Sequence, residues 1–154
     1  MLSRGQQLLE DGRFKEALAC FEGDDVRSVF GRAVALHMLG RFDEAQAEYE
    51  DVLAVDPNHQ ETLSNLVAMN VERFHLELVE RYSRRLLAIV PKSQIALQGL
   101  IVVAVERRDM DLAASCFARI EPSRPHAGDA VEYRLTRQMV ERLKDHHASA
   151  AHPY

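Results

Sequence analysis

The sequence predicts an all-α fold built from repeated helix–turn–helix units, and three observations carry that expectation. The segment Gly12–Glu22 (GRFKEALACFE) returns 28 residues later as Gly40–Glu50 (GRFDEAQAEYE), with seven of eleven positions identical and Phe21 exchanged for Tyr49. Pro57, Pro91 and Pro125 follow one another at intervals of 34 residues. Between these marks apolar residues recur every three or four positions, the spacing that places them on one face of a helix. A fixed period of this size is the sequence signature of a repeat architecture.

The elements of one unit follow from local chemistry. Val29, Ala33 and Leu36 make the apolar stripe of a first helix, A; Ala45, Tyr49, Val52 and Leu53 make that of a second, B. Gly40 lies between them, where a chain leaving a helix needs a left-handed residue and glycine adopts it without a steric penalty. Pro57 ends helix B, because it offers no amide donor and its ring clashes with the preceding turn. Asn58, with Glu61 three residues later, is the expected cap of the next helix.

With 34 residues per unit, a small residue early in helix B, an aromatic four positions on and a proline at the end, the chain resembles the tetratricopeptide repeat family. Repeat 2, residues 26–59, matches best, through Ala33, Leu36, Gly40, Phe42, Ala45, Tyr49 and Pro57. Repeat 3, 60–93, keeps Leu63, Leu66 and Pro91 but has Val79 at the alanine position and Ser83 at the aromatic one. Repeat 4, 94–127, keeps Leu97, Leu100, Ala113, Phe117 and Pro125. Repeat 1, about 1–25, is truncated near Gly23-Asp24-Asp25. The resemblance implies a right-handed α-solenoid of about four such repeats in a single domain, 1–147. A capping helix is expected over 129–147, with a stripe of Val131, Leu135, Met139 and Leu143, since a terminal repeat otherwise leaves its apolar face in water. Residues 148–154 read as a mobile tail.

Composition narrows the functions. The 154 residues carry a net charge of −5, so nucleic acid and an anionic membrane surface, which call for a basic footprint, are not expected partners. The charge is uneven: residues 1–59 hold 12 acids and 6 bases, a net of −6. No apolar run approaches the ~20 residues needed to span a bilayer, and no secretion signal opens the chain, so a cytoplasmic setting is expected. Cys20 and Cys116, at equivalent helix B positions, make neither a disulfide framework nor a metal site and are expected as small core residues. The histidines do not fall at metal-ligand spacing, and there is no glycine-rich phosphate loop. Neither a cofactor nor catalysis is therefore expected.

The family resemblance implies that the A helices line a concave surface. Residues not needed for internal packing should face it: Phe30, Val34, His37 and Met38 in repeat 2; Asn65, Ala68 and Val71 in repeat 3; Ile95, Gln98, Val102 and Val105 in repeat 4. The fourth-repeat A helix is apolar on nearly every face, and its own packing does not obviously use Ile95, Val102 or Val105. Gly31 and Gly99 share one repeat position, held by Asn65 in repeat 3, and two mid-helix glycines in one register point to close backbone approach. A basic clamp for an acidic tail is not evident, so an aliphatic or amphipathic segment is the better ligand. Arg13, Arg41, Arg73, Arg107 and Arg108 fall near the A–B turns beside Asp11, Asp43, Glu72, Glu106 and Asp109, and read as a compensated, solvated edge.

The expected function is a non-catalytic adaptor that binds a protein or peptide on its A-helix face. Two alternatives stand beside it. One is a chaperone or assembly factor, since bacterial secretion chaperones resemble the chain in size, acidity and build. The other is a homodimer formed through repeat 4 or the end helix.

Overall fold

The computed structural model describes residues 2–120, which form eight α-helices and their turns, with no strand among them. The expected capping helix and tail lie outside these residues, as does the stretch carrying Pro125. The chain divides into two compact units at Met69/Asn70. The first contains α1 (Arg4–Glu10), α2 (Phe14–Cys20), α3 (Val26–Met38), α4 (Phe42–Val55) and most of α5 (Gln60–Glu72). The second contains α6 (Leu76–Ile89), α7 (Gln94–Arg107) and α8 (Met110–Ile120). The helices alternate A, B through the repeats as expected.

Every A helix ends in the same turn. After α1, Gly12 and Arg13 donate to the carbonyls of Leu9 and Leu8; after α3, Gly40 and Arg41 donate to His37 and Leu36. After α5, Phe74 and His75 donate to Val71 and Asn70; after α7, Arg108 and Asp109 donate to Val105 and Ala104. This paired bonding satisfies carbonyls that the helix end would leave open, and it requires one left-handed residue. Gly12 and Gly40 supply it with φ of 76° each, but Phe74 (φ 59°) and Arg108 (φ 56°) adopt it against their side chains. Such a conformation costs a residue with a Cβ on the order of 1–2 kcal/mol.

The truncation of repeat 1 falls within α2. That helix stops after seven residues at Cys20, whereas its counterpart α4 runs for fourteen. Phe21 then leaves the helix, and its ring is wedged between Gly5 of α1 and Gly31 of α3, at both of which a Cβ would run into it. Arg32 secures the shortened loop. Its guanidinium donates to both carboxylate oxygens of Glu48 (3.0 and 3.1 Å) and to the carbonyls of Phe21 (2.7 Å) and Gly23 (3.2 Å). The bond to Glu48 raises the guanidinium pKa.

Residue volume is exchanged within repeat 3. Ala33, Ala45 and Tyr49 of repeat 2 correspond to Val67, Val79 and Ser83, so two larger aliphatics accompany a smaller residue at the aromatic position. Ser83 is fully buried, and its hydroxyl has no hydrogen-bond partner among the described residues. In the second unit Leu97, Leu100, Ile101, Cys116, Phe117 and Ile120 form one core cluster, and Val105 packs against it. Ala104 and Ala113 meet where α7 crosses α8. Arg107 reaches across to Glu80 on α6 at 2.8 Å, and Arg119 donates to the Pro91 carbonyl.

Two local expectations are corrected. Cys20 is exposed rather than part of the core, because α2 ends there and the chain turns away; Cys116 alone is buried, and burial pushes its thiol pKa up. The residue before α5 that caps it is His59, not Asn58: its Nδ1 accepts from the Thr62 amide (3.2 Å), while the Asn58 amide donates to Asp56 (3.3 Å). The turn arginines Arg13, Arg41 and Arg107 pair with Glu16, Glu44 and Glu80.

Two predictions follow from the turn and the fork. Phe74→Gly removes the left-handed strain and should raise the unfolding free energy by about 0.5–1 kcal/mol, while Gly40→Ala, with open space around its Cβ, should lower it by about 1 kcal/mol. Urea denaturation followed by circular dichroism reads both. Arg32→Ala should cost roughly 2–3 kcal/mol, because the Glu48 carboxylate and two loop carbonyls lose their donor; Arg32→Lys should recover only part, since an ammonium cannot reproduce the fork.

Candidate binding face

The residues expected on the A-helix face fall into one strip in each unit. On α3, Phe30, Val34 and His37 follow at helical spacing and are half-buried, and Met38 beside them is 55% exposed. A helix keeps such a row on one side because positions three and four apart lie above one another. On α5, Asn65 is half-buried and Ala68 exposed. On α7, Ile95, Gln98, Val102 and Val105 share a second strip, all half-buried, and Val71 near the end of α5 is also half-buried. Val105 is held by its own repeat through Leu112 and the α7–α8 core, which accounts for one of the three apolar side chains left unexplained on that helix.

The α3 strip has a built support behind it. Tyr49 of α4 is fully buried; its hydroxyl lies 3.3 Å from Nδ1 of His37 and is also hydrogen-bonded to Asn65. Burial pushes the phenol pKa well up, with the Asn65 bond opposing only in part, so Tyr49 remains a neutral hydroxyl. One buried hydroxyl thus fixes the two polar side chains of the strip, His37 on α3 and Asn65 on α5. A buried tyrosine needs such partners, which is the signal in the sequence that could have tied Asn65 to Tyr49.

Aromatic packing fixes the other end. The Phe30 ring lies 5.2 Å from the His59 ring and 6.2 Å from that of Tyr49, both tilted. His59 accepts from the Thr62 amide and stands 2.8 Å from the Thr62 hydroxyl, both through Nδ1. An Nδ1 that accepts an amide proton carries none of its own, so the ring proton sits on Nε2 and the Thr62 hydroxyl is the donor. His37 in turn meets the Phe42 ring at 6.1 Å. Sequence reasoning missed His59 and Thr62, since histidine is no common helix cap and only the fold brings residue 59 against Phe30.

Gly31 and Gly99 are both buried. What approaches Gly31 is the Phe21 ring of the preceding repeat, so the missing side chain is explained by internal packing. Among the described residues no group of histidine, cysteine and carboxylate side chains could hold a metal ion, and no helix is long and apolar enough to cross a membrane.

Comparison with known proteins agrees with this geometry. The tetratricopeptide repeat model matches residues 26–59, the span of α3 and α4. No curated protein sequence matches the chain. Among solved structures, YrrB, titled a TPR protein with an unusual peptide-binding site, is similar with a TM-score of 0.69 and 17% identity, over 97% of this chain and 83% of that one. MamA from Desulfovibrio magneticus RS-1 (residues 41 to the end) is similar with a TM-score of 0.61 and 15% identity, over 94% and 92% of the two chains. A MamA RS-1 ArsTM double mutant has the same TM-score at 19% identity, over 92% of each. Residues 26–59 are therefore a tetratricopeptide repeat, and the described residues around them have the all-helical fold of tetratricopeptide-repeat proteins.

Proposed function

We propose that the chain is a non-catalytic protein-binding module that takes a peptide or helix on its A-helix face. The observation that carries this reading is the α3 strip. Phe30, Val34 and Met38 offer apolar surface, and His37 and Asn65 offer polar groups already fixed from behind by Tyr49. A surface whose side chains are held before the partner arrives loses less conformational entropy on binding, and such preorganisation is what separates a recognition face from scattered surface residues. YrrB, of the same fold, is titled for a peptide-binding site, which makes a peptide the natural class of ligand to test. The α7 strip of Ile95, Gln98 and Val102 is a second candidate within its own unit, with less exposed apolar surface.

Peptides selected by the full chain from a random display library provide the test. Val34→Ser with Met38→Ser should weaken the selected peptides about tenfold or more, with the helical circular dichroism and melting temperature preserved, because both side chains are outside the fully buried core. Unchanged affinity in that variant would remove the α3 strip as the site.

A further inference from the structure

We propose that the partner of the α3 strip is a cationic amphipathic segment of another protein, an apolar edge flanked by lysine or arginine; this rests on the strip being the binding face. The apolar edge answers Phe30, Val34 and Met38. The cationic flanks answer the charge around them. Residues 1–59 hold 12 acids against 6 bases, and three of those bases are already committed: Arg13 to Glu16, Arg41 to Glu44 and Arg32 to Glu48. Arg4, Lys15 and Arg27 are left to set against the other acids of the segment.

Two exposed carboxylates stand on the A helices that precede and follow α3 in the repeat order. Glu10 closes α1, the helix that shares the Phe21 ring with α3, and occupies the repeat position that Met38 holds in repeat 2. It stands at the negative end of the α1 dipole, and no basic residue lies in the last turn. Glu61 lies in the first turn of α5, one helical turn before Asn65 and next to the cap residue His59 that packs on Phe30. By this register, a ligand seated on Phe30 and Met38 would have one carboxylate on the preceding A helix and one on the following A helix.

The same charge weighs against other occupants. A second copy docked face to face would set a net −6 against a net −6, and an acidic tail would meet the same repulsion. Opposite charge on the partner instead speeds encounter and selects against the wrong ligand.

The test uses the full-length chain and three helical peptides with one shared leucine face and polar positions that are all lysine, all glutamine or all glutamate. Fluorescence anisotropy at low and high salt should show the lysine peptide binding about tenfold more tightly than the glutamine peptide at low salt, with the advantage shrinking at high salt. Glu10→Gln with Glu61→Gln should reduce that advantage severalfold, and Val34→Ser with Met38→Ser should weaken all binding. If the lysine and glutamine peptides bind alike, or the glutamate peptide binds best, and each is lost in Val34→Ser with Met38→Ser, the charge inference is overturned while the binding face stands. If binding is indifferent to Val34→Ser with Met38→Ser, the face falls and the inference with it.

Discussion

Each repeat of this chain depends on one left-handed residue at the close of its A helix. The turn must reverse the chain within a few residues while satisfying the last carbonyls of the helix, and the pair of bonds to positions three and five residues back does both. Those bonds cannot form with every residue right-handed. The constraint is strict enough that the conformation persists where the sequence offers no glycine, at Phe74 and Arg108. At Arg108 the packing of α7 on α8 overrides the local preference, since a hairpin that lost its turn would expose the buried stripes of both helices.

Within that frame the truncated first repeat shows how a missing piece is accommodated. A shortened α2 cannot present an aromatic from within the helix as α4 presents Tyr49. Phe21 does so from the loop instead, and glycines on both neighbouring helices make room for its ring. The loop carbonyls left without helical partners are met by Arg32, whose planar fork serves Glu48 and the loop together. The half-buried position of this pair, with both side chains about one-fifth exposed, strengthens the bonds relative to the open pairs Arg13–Glu16 and Arg41–Glu44.

Much of this fold was legible because it rests on periodic constraints. The 34-residue interval, the prolines and Gly40 mark helix limits through backbone chemistry that acts locally, and the structure has a helix where each was expected across the described residues. The left-handed turns at Phe74 and Arg108 were not legible from residue type; they follow only from counting 34 positions on from Gly40. Cys20 was misplaced because register alone equated it with Cys116, while the truncation had removed the helix that would have buried it. The site was legible in part. Spacing put Phe30, Val34, His37 and Met38 on one face of α3, but their support by Tyr49, Asn65 and His59 depends on contacts between helices that no local rule specifies.

The support network also bears on how the proposed face could acquire a preference without a deep cavity. Solvent-exposed carboxylates alone discriminate weakly, because salt screens them and their side chains wander. An apolar strip alone binds many partners. On the binding face proposed above, the fixed ring of Phe30 and the tethered side chains of His37 and Asn65 would set where a ligand lies, and the charge beyond the strip would distinguish among ligands that fit. Rigidity behind the strip comes from Tyr49, and Tyr49 is placed by the same repeat register that places Phe21 and Phe117. The proposed recognition face is thus built on the element that the repeat needs for its own core.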